Sequence, residues 1–217
     1  MLCGFNNGYK IEPRVFAVWC ELLRRLPHAV LWIYQSHPQQ AEHLRRALTG
    51  AGIEPGRLVA SRFEPDAARH LARLTLADLF IDTFEYSAHT TMLDALYAGV
   101  PPVSVAGTTT VGRLGASLVR AAGLPENVCA DREAYRQRVL QLADDAEERE
   151  RQRQHLRRCR EQQQGPFDVP RLTREMEAAY TEMWRQHTEG VAPRGFDVGV
   201  AGGTASSPAD ALGATCR

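Results

Sequence analysis

Apolar residues along the first half of the chain follow two patterns in turn, and this alternation predicts an α/β fold. Between Pro13 and Leu26 they recur at the spacing of a helix that buries one face. Between Ala29 and Tyr34 they form an unbroken run, which is typical of a strand buried on both faces. The pattern predicts strands at Leu2–Phe5, Ala29–Tyr34, Leu58–Phe63, Leu79–Ile81 and Pro102–Val105, with helices between them at Pro13–Leu26, Gln39–Leu48, Pro65–Leu74 and Thr90–Tyr97.

Strands that alternate with helices indicate βαβ units, whose right-handed crossovers build a Rossmann-like parallel sheet with helices on both faces. The second half of the chain differs, because helices are predicted in succession at Glu133–Leu142, Ala146–Arg160 and Pro170–Trp184. After about residue 187 the chain becomes rich in Gly, Ala, Ser and Thr. We therefore predict one domain over residues 1–187 and a disordered tail over residues 188–217.

Charge and composition argue against several classes of protein. Lys and Arg together number 26, as do Asp and Glu, so the chain lacks the broad basic field of a nucleic-acid-binding protein. No apolar run approaches the roughly 18 residues of a membrane span, and no signal peptide is predicted. The five cysteines are widely spaced and include no C-x-x-C pair, which argues against a disulfide framework or a zinc site and predicts a cytoplasmic protein.

The segment Asp82–Pro101 is the most informative stretch, because a strand end, a loop and a helix start follow one another there. Ligands of open parallel sheets bind beyond the carboxyl ends of the strands. Backbone N–H groups and the hydroxyls of Thr90 and Thr91 would meet a phosphate at the helix N-terminus, and Asp94 would accept hydrogen bonds from a ribose. The same residues also fit a capping box between Thr91 and Asp94 without a ligand, and a lone His89 is more often structural, so both interpretations stay open.

Two further clusters carry candidate binding residues. Asn7 and Lys10 follow the first predicted strand, where they would offer an amide and a positive charge to a diphosphate; the alternative is a solvated loop lysine. His70 and Arg73 lie three residues apart on one helix face, where they would stack on a base or simply form a polar surface. There is no G-x-G-x-x-G or Walker loop, and no D-x-D carboxylate pair lies near these motifs, so no cofactor or metal is expected.

Taken in order, these motifs resemble glycosyltransferase family 41, the protein O-GlcNAc transferases and the plant SPINDLY-like enzymes. The resemblance covers roughly residues 3–184. It implies the C-terminal, donor-binding lobe of a GT-B fold, in which two Rossmann-like lobes hold a sugar nucleotide. The motifs that carry it are F-N-N-x-Y-K-I, A-V-L-W, H-x-x-R, L-A-D-x-x-I-D-T and H-T-T-x-x-D-x-L-x-A-G-x-P.

Matched position by position, the resemblance implies roles in donor binding. Lys10 matches the lysine that neutralises the donor diphosphate and stabilises the leaving group. Asn7 matches a neighbouring amide contact, for which animal members carry Gln, and Ala67 stands where they carry a lysine near the ribose. The other matches are His70 and Arg73 beside the uracil, His89, Thr90 and Thr91 at the phosphate, and Asp94 at the ribose.

The resemblance implies a metal-independent transferase that moves N-acetylglucosamine from UDP-GlcNAc to Ser or Thr hydroxyls of proteins. It also implies that the family's N-terminal lobe and tetratricopeptide repeats are missing, so we expect a fragment. Its expected partners are a UDP-sugar, an acceptor protein and the missing region, with no nucleic acid and no membrane. The alternatives are a non-catalytic lobe that binds a nucleotide or docks onto a partner, and a transferase of another sugar nucleotide such as GDP-fucose.

Overall fold

Within residues 1–198, the part of the chain that the computed structural model describes, six parallel strands form one sheet. Their spatial order is β3-β2-β1-β4-β5-β6, and each strand runs parallel to its neighbours. The order reverses between β1 and β4, so a crevice opens between the loops that follow these two strands. The strands are β1 (Leu2–Gly4), β2 (Leu31–Tyr34), β3 (Leu58–Ser61), β4 (Leu79–Ile81), β5 (Pro102–Val105) and β6 (Val128–Cys129).

The helices confirm every predicted helix with small shifts at the ends, and they add one that the sequence did not predict. This added helix, α5, contains Gly112 and Gly115, which lower its helix propensity. Strand β6 was missed as well, since it is only two residues long. The helices are α1 (Pro13–Arg25), α2 (Pro38–Gly50), α3 (Ala67–Leu74), α4 (Thr90–Tyr97), α5 (Thr110–Ala121), α6 (Arg132–Asp144), α7 (Ala146–Glu161) and α8 (Val169–Thr188).

Apolar layers cover both faces of the sheet, because successive strand residues point to opposite sides. In β4, Leu79 and Ile81 pack into a cluster with residues of α1 and α6. Phe80, between them, packs into a second cluster with residues of α4, α5 and α7. The predicted parallel sheet with helices on both faces is therefore confirmed.

Most helices begin at a residue whose side chain accepts a hydrogen bond from a backbone N–H in the first turn, as Asp66 does for α3. The exceptions are helix α1, whose first residue is Pro13, and helix α4. Its N-terminal residue His89 makes no such side-chain bond. Among the described residues, the backbone N–H groups of Thr90 and Thr91 have no hydrogen-bond partner. The positive end of this helix is left open to a ligand.

The chain divides into two compact units, residues 1–167 and the residues from Asp168 onward. The first unit holds the whole sheet and helices α1 to α7, and the second holds α8. The predicted domain boundary at residue 187 stays a prediction. Most of the predicted tail, residues 199–217, lies outside the described residues. In the part of the chain that is described, no helix combines the length and the apolar composition needed to cross a bilayer.

Candidate functional site

Lys10 ends a short 3-10 turn that follows β1, one of the two strands that flank the crevice. Its Nζ donates a hydrogen bond of 3.0 Å to the carbonyl oxygen of Ser87, and it lies 3.9 Å from the centre of the Tyr86 ring. The residue is only 8% exposed. Burial lowers the pKa of the ammonium, and the nearby Asp82 carboxylate partly opposes that shift. Lys10 is therefore a buried cation and not a solvated loop lysine.

Lys10 also stands out in the composition of the chain, a signal that the motifs do not include. Of the 26 basic residues counted as Lys or Arg, Lys10 is the only lysine. A lysine places a compact charge on a flexible stem, whereas the planar guanidinium of arginine is bulkier and fixes its donors in a fork. Every other residue counted as Lys or Arg is an arginine, and the single lysine lies next to the crevice.

Asp82, the residue after β4, anchors the loop that contacts Lys10. Its buried carboxylate accepts hydrogen bonds from the backbone N–H groups of Thr83 and Ala88, at 2.8 and 2.7 Å, and from the Asn6 amide at 3.2 Å. The Ser104 hydroxyl donates a fourth bond of 2.6 Å. Burial raises the pKa of Asp82, while these hydrogen bonds act to lower it. The four donors fix the loop in place.

Asn6 joins the loop after β1 to helix α4. Its Nδ2 donates to the Thr83 hydroxyl at 2.8 Å, and its Oδ1 accepts from the Thr91 hydroxyl at 2.9 Å. The Thr91 hydroxyl proton is thus committed to Asn6. The capping box offered as an alternative for Thr91 and Asp94 does not form, because Asp94 faces His70 on α3. Sequence reasoning missed Asn6 and Asp82, although a polar residue directly after a buried strand was a usable signal.

A cavity of about 420 Å³ adjoins this network and contains most of the predicted donor-binding residues. Its size falls within the range of small-molecule sites. Phe5, Phe63 and Leu71 give it apolar walls. Lys10, His89 and Thr90 do not line this cavity, and Thr90 is exposed. The predicted residues that do line it are Asn7, His70, Arg73, Thr91 and Asp94.

His70 is held between Arg73 and Asp94. The Arg73 Nη2 and Nε atoms lie 2.9 and 3.2 Å from His70 Nδ1, so Nδ1 is the acceptor and Nε2 carries the hydrogen. Nε2 in turn faces Asp94 Oδ2 at 3.5 Å. Burial raises the pKa of Asp94, and His70 opposes that shift. The imidazole is therefore fixed in orientation by a partner on each side.

Arg73 also contacts residues other than His70. Its Nη1 donates to the carbonyl oxygen of Arg62 at 2.9 Å, and its guanidinium lies 5.1 Å from the centre of the Phe5 ring. The Phe5 ring also lies 6.1 Å from the His70 ring. Arg73 thus orients His70 and packs on Phe5, whereas a base-stacking role for Arg73 stays a prediction.

His89 is the N-cap residue of α4. Its Nε2 is 3.2 Å from the carbonyl oxygen of Val111, and its ring centre lies 5.1 Å from that of Tyr86. Tyr86 therefore links the ammonium of Lys10 to the start of α4. Within residues 1–198, no group of three or more His, Cys, Asp or Glu side chains is arranged to hold a metal ion.

Two curated proteins are similar to this chain over most of its length. A UDP-N-acetylglucosamine–peptide N-acetylglucosaminyltransferase of Caenorhabditis elegans is 30% identical over 191 residues, covering 88% of this chain and 16% of that protein. SPINDLY of Solanum lycopersicum is 32% identical over 195 residues, covering 88% of this chain and 21% of that protein. The chain spans about a fifth of the length of these curated relatives.

The fold and the family of the chain follow from a solved structure and a family model. The structure of a lysine-to-methionine mutant of Thermobaculum terrenum O-GlcNAc transferase superposes with a TM-score of 0.81 at 34% identity, covering 88% of this chain and 37% of that one. This likeness confirms the fold predicted from the motifs, the C-terminal lobe of a GT-B glycosyltransferase. The model of glycosyl transferase family 41 matches residues 1–176, which is most of the chain. The motifs, the fold and these matches agree that the chain belongs to glycosyltransferase family 41.

Proposed function

We propose that this chain is the donor-binding part of a transferase that moves N-acetylglucosamine from UDP-N-acetylglucosamine to Ser or Thr hydroxyls of proteins. The observation that carries the proposal is a buried lysine beside an uncapped helix N-terminus, at the point where the strand order reverses. Both features favour a diphosphate, and both lie where ligands of such sheets bind. The donor and the peptide acceptor follow from the similar UDP-N-acetylglucosamine–peptide N-acetylglucosaminyltransferases.

The adjoining cavity accounts for the nucleoside. We assign the base to the apolar walls and the oriented His70 ring, and the ribose hydroxyls to the Asp94 carboxylate. Asn7 lines the same cavity, and we assign its amide to the phosphates. Arg73 acts on the base through His70, which it orients.

The chemistry follows from charge. As the bond between the sugar and the β-phosphate oxygen breaks, negative charge grows on the departing UDP. The Lys10 ammonium and the free N–H groups of Thr90 and Thr91 would stabilise that charge more in the transition state than in the bound donor. The burial of Lys10 strengthens its effect, because water screens a buried charge less. The site residues therefore act on the leaving group.

This chain does not account for binding of the acceptor protein. Because it matches only about a fifth of the length of its curated relatives, we assign acceptor binding and removal of the hydroxyl proton to a region that corresponds to the rest of those relatives. The cysteines among the described residues are unpaired. This supports our proposal that the protein works in the cytoplasm, where thiols stay reduced.

Calorimetric titration of the purified chain with UDP tests the proposal. We expect saturable binding that Lys10→Met weakens at least tenfold, since loss of a charge-assisted contact costs roughly 1.5–3 kcal/mol. If the folded wild-type chain binds neither UDP nor GDP, the proposed donor site does not exist in this chain.

GDP is included because one observation favours a second donor class. The Glu64 carboxylate lines the base cavity. Guanine presents two adjacent N–H donors to such a group, whereas uracil presents one. Tighter binding of GDP than of UDP would favour a GDP-sugar as the donor, and a Glu64→Gln variant that reverses this preference would identify the cause.

We further propose that donor binding needs no metal, since Lys10 and the start of α4 supply the positive charge. UDP affinity should stay unchanged when excess EDTA is present during the titration. A loss of affinity that Mg²⁺ or Mn²⁺ restores would show instead that a cation bridges the diphosphate.

A further inference from the structure

The Lys10 ammonium is held in the crevice without a carboxylate partner. Among the described residues, none of the ion pairs includes Lys10. Its two close neighbours are the Ser87 carbonyl oxygen and the face of the Tyr86 ring. Asp82, the nearest source of negative charge, has its carboxylate occupied by four hydrogen-bond donors. An aromatic ring therefore stands where an ion pair would be expected.

The Tyr86 ring is itself fixed from two sides. The Tyr9 ring meets it at a centre-to-centre distance of 5.9 Å and an angle of 63°, and the His89 ring lies 5.1 Å away. The Tyr86 carbonyl oxygen accepts a hydrogen bond of 2.7 Å from the Thr83 hydroxyl. The Tyr86 ring thus contacts both the turn after β1 and the start of α4, and the Tyr86 backbone is held by Thr83.

We propose that Tyr86 is a positioning residue whose ring holds the Lys10 ammonium in the crevice while leaving its full charge available. This role rests on the proposed donor site. The electron-rich face of an aromatic ring attracts a cation but carries no net charge. A carboxylate in the same place would neutralise the ammonium and repel the diphosphate. The Ser87 carbonyl occupies one of the three ammonium donors, which leaves others for phosphate oxygens.

The presence of a single lysine makes the test direct. Chain labelled with ¹³C-lysine gives one set of lysine signals, all from Lys10. A proton held over a ring face is shifted upfield, so the Lys10 ε signal should move downfield in Tyr86→Leu and keep its position in Tyr86→Phe. Tyr97→Leu is the matched control, because the Tyr97 ring also faces a cation, Arg160, at 5.2 Å.

Binding supplies the second readout. Tyr86→Leu should weaken UDP binding about five- to thirtyfold, the change that corresponds to roughly 1–2 kcal/mol of cation–π attraction. Tyr86→Phe and Tyr97→Leu should bind UDP like the wild type. Uridine, which has no phosphate, should bind all four proteins equally.

Each other result overturns the role. If Tyr86→Leu binds UDP as tightly as the wild type, the ring does not position Lys10. If it loses uridine and UDP alike, the ring only maintains the loop. If Tyr86→Phe is as weak as Tyr86→Leu, the hydroxyl acts and not the ring. These results differ from failure of the proposed donor site itself, in which case the wild type would bind no UDP.

Discussion

At the residue scale, the candidate site is built around one cation whose charged form is disfavoured by burial. Lys10 is 8% exposed, and its pKa is lowered because burial disfavours the charged form. A group of this kind costs stability wherever it stays charged, and it is retained where function needs the charge. Ligand binding and stability should therefore change in opposite directions when Lys10 is replaced.

We expect Lys10→Met, which keeps the volume of the side chain, to raise the free energy of unfolding at pH 7 by about 1 kcal/mol. Since the folded-state pKa of Lys10 lies below its unfolded value, the unfolded chain holds the proton more tightly. Wild-type stability should then rise as pH increases through the lowered pKa, and its difference from the variant should shrink. Urea unfolding at several pH values measures this. A variant less stable than the wild type at pH 7 would contradict it.

The same shift sets the pH dependence of binding. In the proposed site UDP contacts the protonated ammonium, so its affinity should fall as pH rises through the Lys10 pKa, which lies below the ordinary lysine value. Lys10→Met should show no such fall in that range. Titrations from pH 7 to pH 10 in both proteins separate this effect from the ionisation of UDP itself.

At the element scale, helix α5 must pack closely against the loop anchored by Asp82. Gly115 lies against this network: its backbone N–H donates to the Ser87 hydroxyl at 3.0 Å. A methyl group there would overlap the Asp82 Oδ2 atom and press on Ser104 and Ser87. Gly115, one of the two glycines that lower the helix propensity of α5, is therefore a packing requirement of the site.

Gly115→Ala should destabilise the protein by about 1–3 kcal/mol, the usual cost of overpacking a filled interior, and should weaken UDP binding as well. Gly50→Ala is the matched control, because a methyl group there meets no atom within 4 Å. It should be neutral or stabilise α2 by up to about 1 kcal/mol. Thermal unfolding of the two variants decides this, and equal midpoints would refute the packing argument.

The elements also show what a sequence pattern can predict. Strands β1, β2, β4 and β5 were predictable because each is a short, mostly apolar run that is buried almost throughout. Strand β3 lies at the edge of the sheet and is only partly buried, and it was predictable from its apolar start. Helix α4 was predicted with its observed ends, Thr90 and Tyr97. The link from Asn6 to Thr91 was not predictable, since it joins residues 85 positions apart and depends on the two strands being neighbours. Lys10 was identified from its motif, but its burial and its contact with Tyr86 required the fold.

At the scale of the whole molecule, the strand order places the loops after β1 and β4 side by side. Periodicity predicts parallel strands and crossovers, but it does not fix which strands become neighbours. That order brings Lys10 next to the start of α4, and it opens the cavity that holds His70, Arg73 and Asp94. The proposed donor site is therefore a property of the topology and not of any single motif.

The most direct test of this account follows the Lys10 signal of the ¹³C-lysine-labelled chain during titration with UDP. We predict that the single lysine signal shifts to saturation with UDP, that the pKa of Lys10 rises in the complex, and that uridine leaves the signal almost unchanged. A lysine signal that does not move at saturating UDP would contradict the central claim, because the diphosphate would then bind away from Lys10.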